Sequence, residues 1–258
     1  MQIGCCIKIE NYQEANNIGF DFVELSGIEV SSLNEDEWSS FKKLYNHIKL
    51  PILGFNAFCD DRVAMVGKNV DNKKSEEYIR KLCLRGNEIH VNNLGIGAPL
   101  ARKLENNFSL NTAYKQMDDF IDILLVNAKK YKQKILVEAL HDQCNDFLTT
   151  TKEVYEYISK KNNPNLGLVL DFYHMIKMNE KPNDVSSYMD FVKHTHVSHW
   201  ASDLSRAYID QNDLPYLLEI KELFSTVHYD QTISIESTTN NFLQDAKLSF
   251  NILTKVFK

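Results

Sequence analysis

Three apolar runs in this sequence end in a carboxylate: Ile135-Leu136-Val137 leads into Glu138, Leu168-Val169-Leu170 into Asp171, and Ile233-Ser234-Ile235 into Glu236. Between the last two lies His194-Thr195-His196-Val197, where period-two alternation sends both histidines to one face and Thr195 to the other. Taken singly, each acid reads more simply as a helix cap or a lysine's partner. Their spacing makes them a set. Positions 138, 171, 196 and 236 are 33, 25 and 40 residues apart, near the ~31 residues of one unit when ~250 residues are shared among eight strand-helix repeats. In a barrel of that kind the carboxyl ends of neighbouring parallel strands converge on one face. Carboxylates gathered there raise one another's pKa unless a cation neutralises them. Three oxygen donors and one imidazole suit one divalent ion with open coordination positions, Mn2+ first, with Mg2+, Co2+ or Zn2+ also admissible.

The elements that must position these residues are visible as short apolar runs at 3–9, 20–25, 51–55, 89–97, 135–140, 166–171, 191–197 and 232–236. Between them lie helical segments, among them 75–86, 112–131 and 151–160. In the stretch 111–131 the residues Met117, Phe120, Ile121, Leu124, Leu125 and Ala128 recur at offsets that place them along one face. Eight strand-helix alternations predict an α/β chain folded as a single (β/α)8 TIM barrel over residues 1–258, since no linker, composition break or repeat divides it. The rival is a doubly wound open sheet. Its glycine fingerprint is missing, because Gly95-Ile96-Gly97 lacks the third glycine.

Composition narrows the partners. With 258 residues, 43% of them hydrophobic, 25% charged and a net charge of -6, the chain has no cationic surface of the kind that tracks phosphate backbones, so no nucleic-acid partner is expected. The five cysteines are odd in number and scattered without a C-x-x-C pair, which fits reduced thiols and does not indicate thiolate-rich zinc binding. No segment approaches the ~20 apolar residues of a membrane span, and the first twelve residues lack a leader pattern. The expectation is a cytoplasmic protein with no membrane partner.

The sequence resembles the xylose isomerase-like barrel superfamily, particularly its sugar isomerase and epimerase branch of ketose 3-epimerases and hydroxypyruvate isomerases. The likeness spans almost the whole chain and rests on residues 19–25, 95–98, Val137-Glu138-Ala139-Leu140, Leu170-Asp171-Phe172-Tyr173-His174-Met175, residues 194–198 and Ile233-Ser234-Ile235-Glu236. By that resemblance Glu138, Asp171, His196 and Glu236 match the metal ligands, His174 a contact to substrate oxygen, Arg206 an arginine after the seventh strand, and Glu24 an acid of the pocket. The implied partner is a small sugar, and barrels of this branch often pair as homo-oligomers. Glu138 and Glu236 then form an acid/base pair for proton transfer through a metal-stabilised enediolate.

The chain also departs from the pattern. Where relatives carry Pro-x-Asn and then a second glutamate, it has Ala139, His141 and Cys144. His141 is either a substitute hydroxyl partner or a loop residue facing solvent. Phe55, Phe58, Phe172 and Trp200 are candidates for an aromatic wall at the mouth, and Ser237, Thr238 and Thr239 for a phosphate subsite. Three other readings stay open: an endonuclease IV-like enzyme for abasic DNA, which needs a trinuclear zinc cluster and further histidines, a dehydratase, and a sugar-binding barrel without turnover.

Overall fold

The computed structural model describes residues 1–199 and 206–258. Eight strands are formed: β1 (Gln2–Ile7), β2 (Phe22–Ser26), β3 (Ile52–Asn56), β4 (Asn93–Ile96), β5 (Lys134–Glu138), β6 (Leu166–Asp171), β7 (Val192–Val197) and β8 (Thr232–Ile235). Each pairs in parallel with the next, and β8 closes on β1, so the sheet is a complete barrel in chain order. Strands buried on both faces read as continuous Val/Ile/Leu runs, as in β6, where all six residues are buried.

Nine α-helices are described, besides 3-10 helical turns: α1 (Tyr12–Ile18), α2 (Gly27–Ser32), α3 (Glu35–Ile48), α4 (Asn72–Glu88), α5 (Leu110–Lys129), α6 (Thr151–Lys161), α7 (Phe172–Lys177), α8 (Leu214–Thr226) and α9 (Phe242–Phe257). Their starts are set by local chemistry. Asn34 and Glu37 form a reciprocal capping box on α3, as do Thr150 and Glu153 on α6, satisfying amides that have no partner within the helix. On α5 the residues Met117, Phe120, Ile121, Leu124 and Ala128 are buried as their spacing predicts, whereas Leu125 is only partly covered. No helix among the described residues is long and apolar enough to cross a membrane.

The fourth strand is shorter than the run 89–97 predicts. Ile89 and Val91 are buried, but His90 takes a left-handed backbone, φ 60°, and both Ile89 N and Val91 N donate to Gly86 O. Those residues finish α4, and pairing with β3 begins only at Asn93.

Candidate metal centre

Glu138 is the last residue of β5, Asp171 the last of β6, His196 lies one residue from the end of β7, and Glu236 follows β8. Register places Asp171 directly beside His196, while the Glu236 amide continues the ladder by donating to Val197 O at 3.0 Å. One donor atom from each of the four side chains lies within 4.8 Å of the other three. His196 Nδ1 is 2.9 Å from Glu236 Oε2, 3.6 Å from Glu138 Oε1 and 4.0 Å from Asp171 Oδ2. Two of these atoms, Glu138 Oε1 and His196 Nδ1, are buried without a hydrogen-bond partner. Buried polar atoms are nearly always satisfied. A carboxylate oxygen and an imidazole nitrogen aimed at the same gap, with two more carboxylates beside them, fit a divalent cation, which would take the place of the imidazolium proton.

Each side chain is held by residues remote in sequence. Glu24 on β2 accepts from His194 Nε2 at 2.7 Å and lies 3.1 Å from His196 Nε2, which turns His196 Nδ1 toward the centre. Asp171 divides its labour: Oδ1 accepts the amides of Tyr173 and His174, capping α7, and Oδ2 meets the centre. Asn56, at the end of β3, donates from Nδ2 to Glu236 Oε1 at 3.1 Å. Gly97 lies against Glu138: a Cβ built there would stand 2.3 Å from Oε2. Arg102 is fully buried and donates to the carbonyls of Ile96, Gly97, Glu138, Phe147 and Leu148, tying the ends of β4 and β5 to the loop before α6.

The electrostatics follow from burial and neighbours. Burial pushes the Glu138 carboxyl up to about 7, reinforced by the charges of Glu236 and Asp171. Burial, the largest single influence, opposes charge on Glu236 and Asp171, but the Arg206 guanidinium acting together with His196, and at Asp171 with His174 as well, holds both below their ordinary values. His196 is raised well above its usual range, since Glu24 and Glu236 overcome its desolvation. Burial lowers His174 to about 4.

Above these residues opens a cleft of about 1040 Å³, and Glu138, His141, His174, Arg206 and Glu236 all contribute to its lining. Arg206 reaches Asp171 Oδ2 at 2.5 Å, pairs with Glu236 Oε2 and lies 3.2 Å from His174 Nε2. His141, a candidate either for the pocket or for solvent, is buried and stacks on His174 with ring centroids 4.9 Å apart. Glu24 is absent from the cleft wall; it lies beneath, on the two strand histidines.

The expected aromatic wall is corrected. Phe55, Phe58 and Phe172 are fully buried and face outward between strands and helices, where Phe58 meets Phe120 and Phe172 meets Phe224. Trp200 lies outside the described residues. Among the described residues, Tyr173, Tyr208 and Phe242 are the phenyl-ring side chains lining the cleft. Ser237, Thr238 and Thr239 do line it, yet their hydroxyls meet Ala207 O, Arg206 O and the Asp245 carboxylate.

Sequence reasoning passed over Asn56, Gly97 and Arg102. Only Gly97 had left a signal, as part of the incomplete Gly-x-Gly.

Residues 12–251 match the protein family described as xylose isomerase-like TIM barrel. No curated protein matches the sequence. Among solved structures, D-psicose 3-epimerase crystallised in the presence of D-fructose superposes with a TM-score of 0.81 at 12% identity, covering 100% of this chain and 99% of that one. D-allulose 3-epimerase from Methylomonas sp. in complex with D-allulose gives 0.82 at 15% identity, covering 100% and 97%. For 3-keto-D-glucoside 4-epimerase from E. coli the values are 0.77 at 15% identity, covering 99% and 98%. At such identities the likeness is one of fold.

Proposed function

The chain belongs to the xylose isomerase-like TIM-barrel family, and from that premise we propose that it is a divalent-metal-dependent isomerase or epimerase acting on a small ketose or related polyol-carbonyl compound. The observation that carries the reading is the four-donor cluster at the ends of β5 to β8, with Glu138 Oε1 and His196 Nδ1 buried inside it without a hydrogen-bond partner. The sugar 3- and 4-epimerases that share the fold support the substrate class.

Glu138, Asp171, His196 and Glu236 would hold the cation, Mn2+ before Mg2+, Co2+ or Zn2+. When bound, it supplies neutralisation of the clustered carboxylates and polarisation of a substrate carbonyl and its neighbouring hydroxyl. β5 and β8 are three strands apart in a ring of eight, so Glu138 and Glu236 approach from nearly opposite sides. One glutamate removes the proton alpha to the carbonyl, and the other, protonated in that cycle, supplies one to the opposite face. Return to the same carbon inverts it; delivery to the neighbouring carbon exchanges ketose and aldose. Arg206 and His174 stand beside the cleft as donors to the enediolate oxygens, where preoriented dipoles count most. Glu24 serves as the carboxylate that fixes the His196 tautomer.

The cleft favours an uncharged substrate. Its wall carries Glu10, Glu14 and Glu29 besides the proposed ligands, and the hydroxyls of Ser237, Thr238 and Thr239 are already engaged within the protein. The abasic-site endonuclease reading is weaker: β3 and β4 end in Asn56 and, just past β4, Gly97, where that enzyme class carries histidines.

The test is exchange of the substrate's alpha hydrogen with deuterated solvent, across a ketose panel, after reloading chelated protein with Mn2+ or Co2+. Exchange on at least one ketose is expected, and its loss in Glu138→Gln and in Glu236→Gln. No exchange on any ketose removes the isomerase reading, tight polyol binding without exchange leaves a binding barrel, and nicking of an abasic duplex would replace it with a nuclease.

A further inference from the structure

We propose that His141, Cys144 and His174 form a second cation site, distinct from the four-ligand centre and suited to a borderline-to-soft ion of the Zn2+ class. His141 and Cys144 share one turn of the loop after β5, closed by Cys144 N donating to His141 O at 3.0 Å. His174 comes from α7, 33 residues on in sequence. The three donor atoms lie within 4.8 Å of one another.

His141 Nδ1 and His174 Nδ1 face each other at 2.7 Å. Two ring nitrogens in that relation share one proton or one cation. The His141 amide also points at His174 Nδ1, at 3.1 Å, which marks that nitrogen as a lone-pair bearer turned toward the loop. Cys144 Sγ stands 3.6 Å from His141 Nδ1. Tetrahedral zinc with bonds of ~2.0 Å to nitrogen and ~2.3 Å to sulfur separates such atoms by about 3.5 Å, and two nitrogens by about 3.3 Å. The sulfur thus stands near the required distance from His141 Nδ1, and the rings need to part by only about half an ångström to reach the nitrogen spacing.

All three residues line the cleft, so a fourth position opens toward water or ligand. Two nitrogens and a sulfur select differently from the three oxygens and one nitrogen of the neighbouring centre. The two sites communicate, because a cation on His174 Nδ1 fixes the ring whose Nε2 lies 3.2 Å from Arg206.

Co2+ titration of the chelated protein reads the site by the near-ultraviolet charge-transfer band that a cobalt-bound thiolate produces. A bound equivalent carrying that band is expected, with the band lost in Cys144→Ser and in His141→Gln. It should persist in Cys6→Ser, the needed control because Cys6 Sγ lies 3.9 Å from His196 Nε2. It should also persist in Glu138→Gln, where the equivalent without the band is lost. Absence of the band in wild type, its survival in Cys144→Ser, or its loss in Cys6→Ser or Glu138→Gln overturns the proposal. A wild type that binds one equivalent, bearing the band, sinks the four-ligand centre and leaves this site standing.

Discussion

At Asp171 the modest reading of a strand-end acid is met on Oδ1, which caps α7, while the proposed ligand role falls to the other oxygen, Oδ2, which faces His196. Substitution there is therefore expected to cost the helix start and, on the proposed reading, cation affinity as well. Gly97 separates the two effects. A Cβ at that position would stand 2.3 Å from Glu138 Oε2, which the carboxylate can relieve only by turning away from the gap. Gly97→Ala is expected to keep the far-ultraviolet circular dichroism of the wild type and to weaken Mn2+ binding ~10–100-fold, the usual effect of misdirecting a ligand. Isothermal titration checks it, and unchanged affinity would mean that Glu138 does not ligate. Glu24→Gln should cost a similar factor, since its carboxylate orients His196. The four candidate ligands stand out in the sequence because a charged residue closing an apolar run is conspicuous. Gly97, Asn56 and the orienting role of Glu24 do not, because each acts on a partner on another strand, 41, 180 and 172 residues away.

Among the elements, the count and order of strands were readable since a fully buried parallel strand leaves an uninterrupted apolar run. What the run does not show is which side each residue faces at its end. Asn56 points into the barrel toward Glu236, so its neighbour Phe55 must point outward, against α4, where its ring would lie 3.1 Å from a Cβ on Gly86. Proximity to the mouth in sequence thus placed the aromatics on the wrong face. Arg102 was equally hidden, since nothing near it announces a buried guanidinium whose partners are five carbonyls on three segments. Arg102→Met is expected to take the buried donor from these carbonyls, with Leu148 O keeping the Leu140 amide, and to lower stability by ~3 kcal/mol or more, since each buried unsatisfied acceptor costs about 1–3 kcal/mol. Thr150→Ala, which removes half of the α6 capping box, should cost only about 1 kcal/mol. Urea midpoints of the two variants decide the ranking; equal losses would show that the Arg102 carbonyls find water instead.

For the whole molecule, the closed barrel makes the proposed centre a product of complete folding: its ligands come from four strands, and Glu24 and Asn56 add two more. No fragment contains it, so a cation bound there stabilises only the fully closed state. The thiols offer an independent clock for that state. Burial pushes the Cys5 and Cys83 thiols up to about 12 and raises Cys6, Cys59 and Cys144 as well, but Cys144 is only partly buried and so stays accessible to reagent. Native protein should therefore label one thiol rapidly with a disulfide reagent, and the other four only at the rate of global opening. Mn2+ at 100 times its dissociation constant should add about 2.7 kcal/mol of stability, raising the melting temperature and slowing labelling of the four buried thiols together. Chelator should reverse both effects. In Glu236→Gln the cation should shift neither quantity by more than a small fraction of the wild-type change. A shift that persists after any of the four proposed ligands is replaced would place the bound ion elsewhere in the molecule, and a melting temperature indifferent to Mn2+, Co2+ and Zn2+ alike would leave Glu138 Oε1 and His196 Nδ1 without the cation assigned to them.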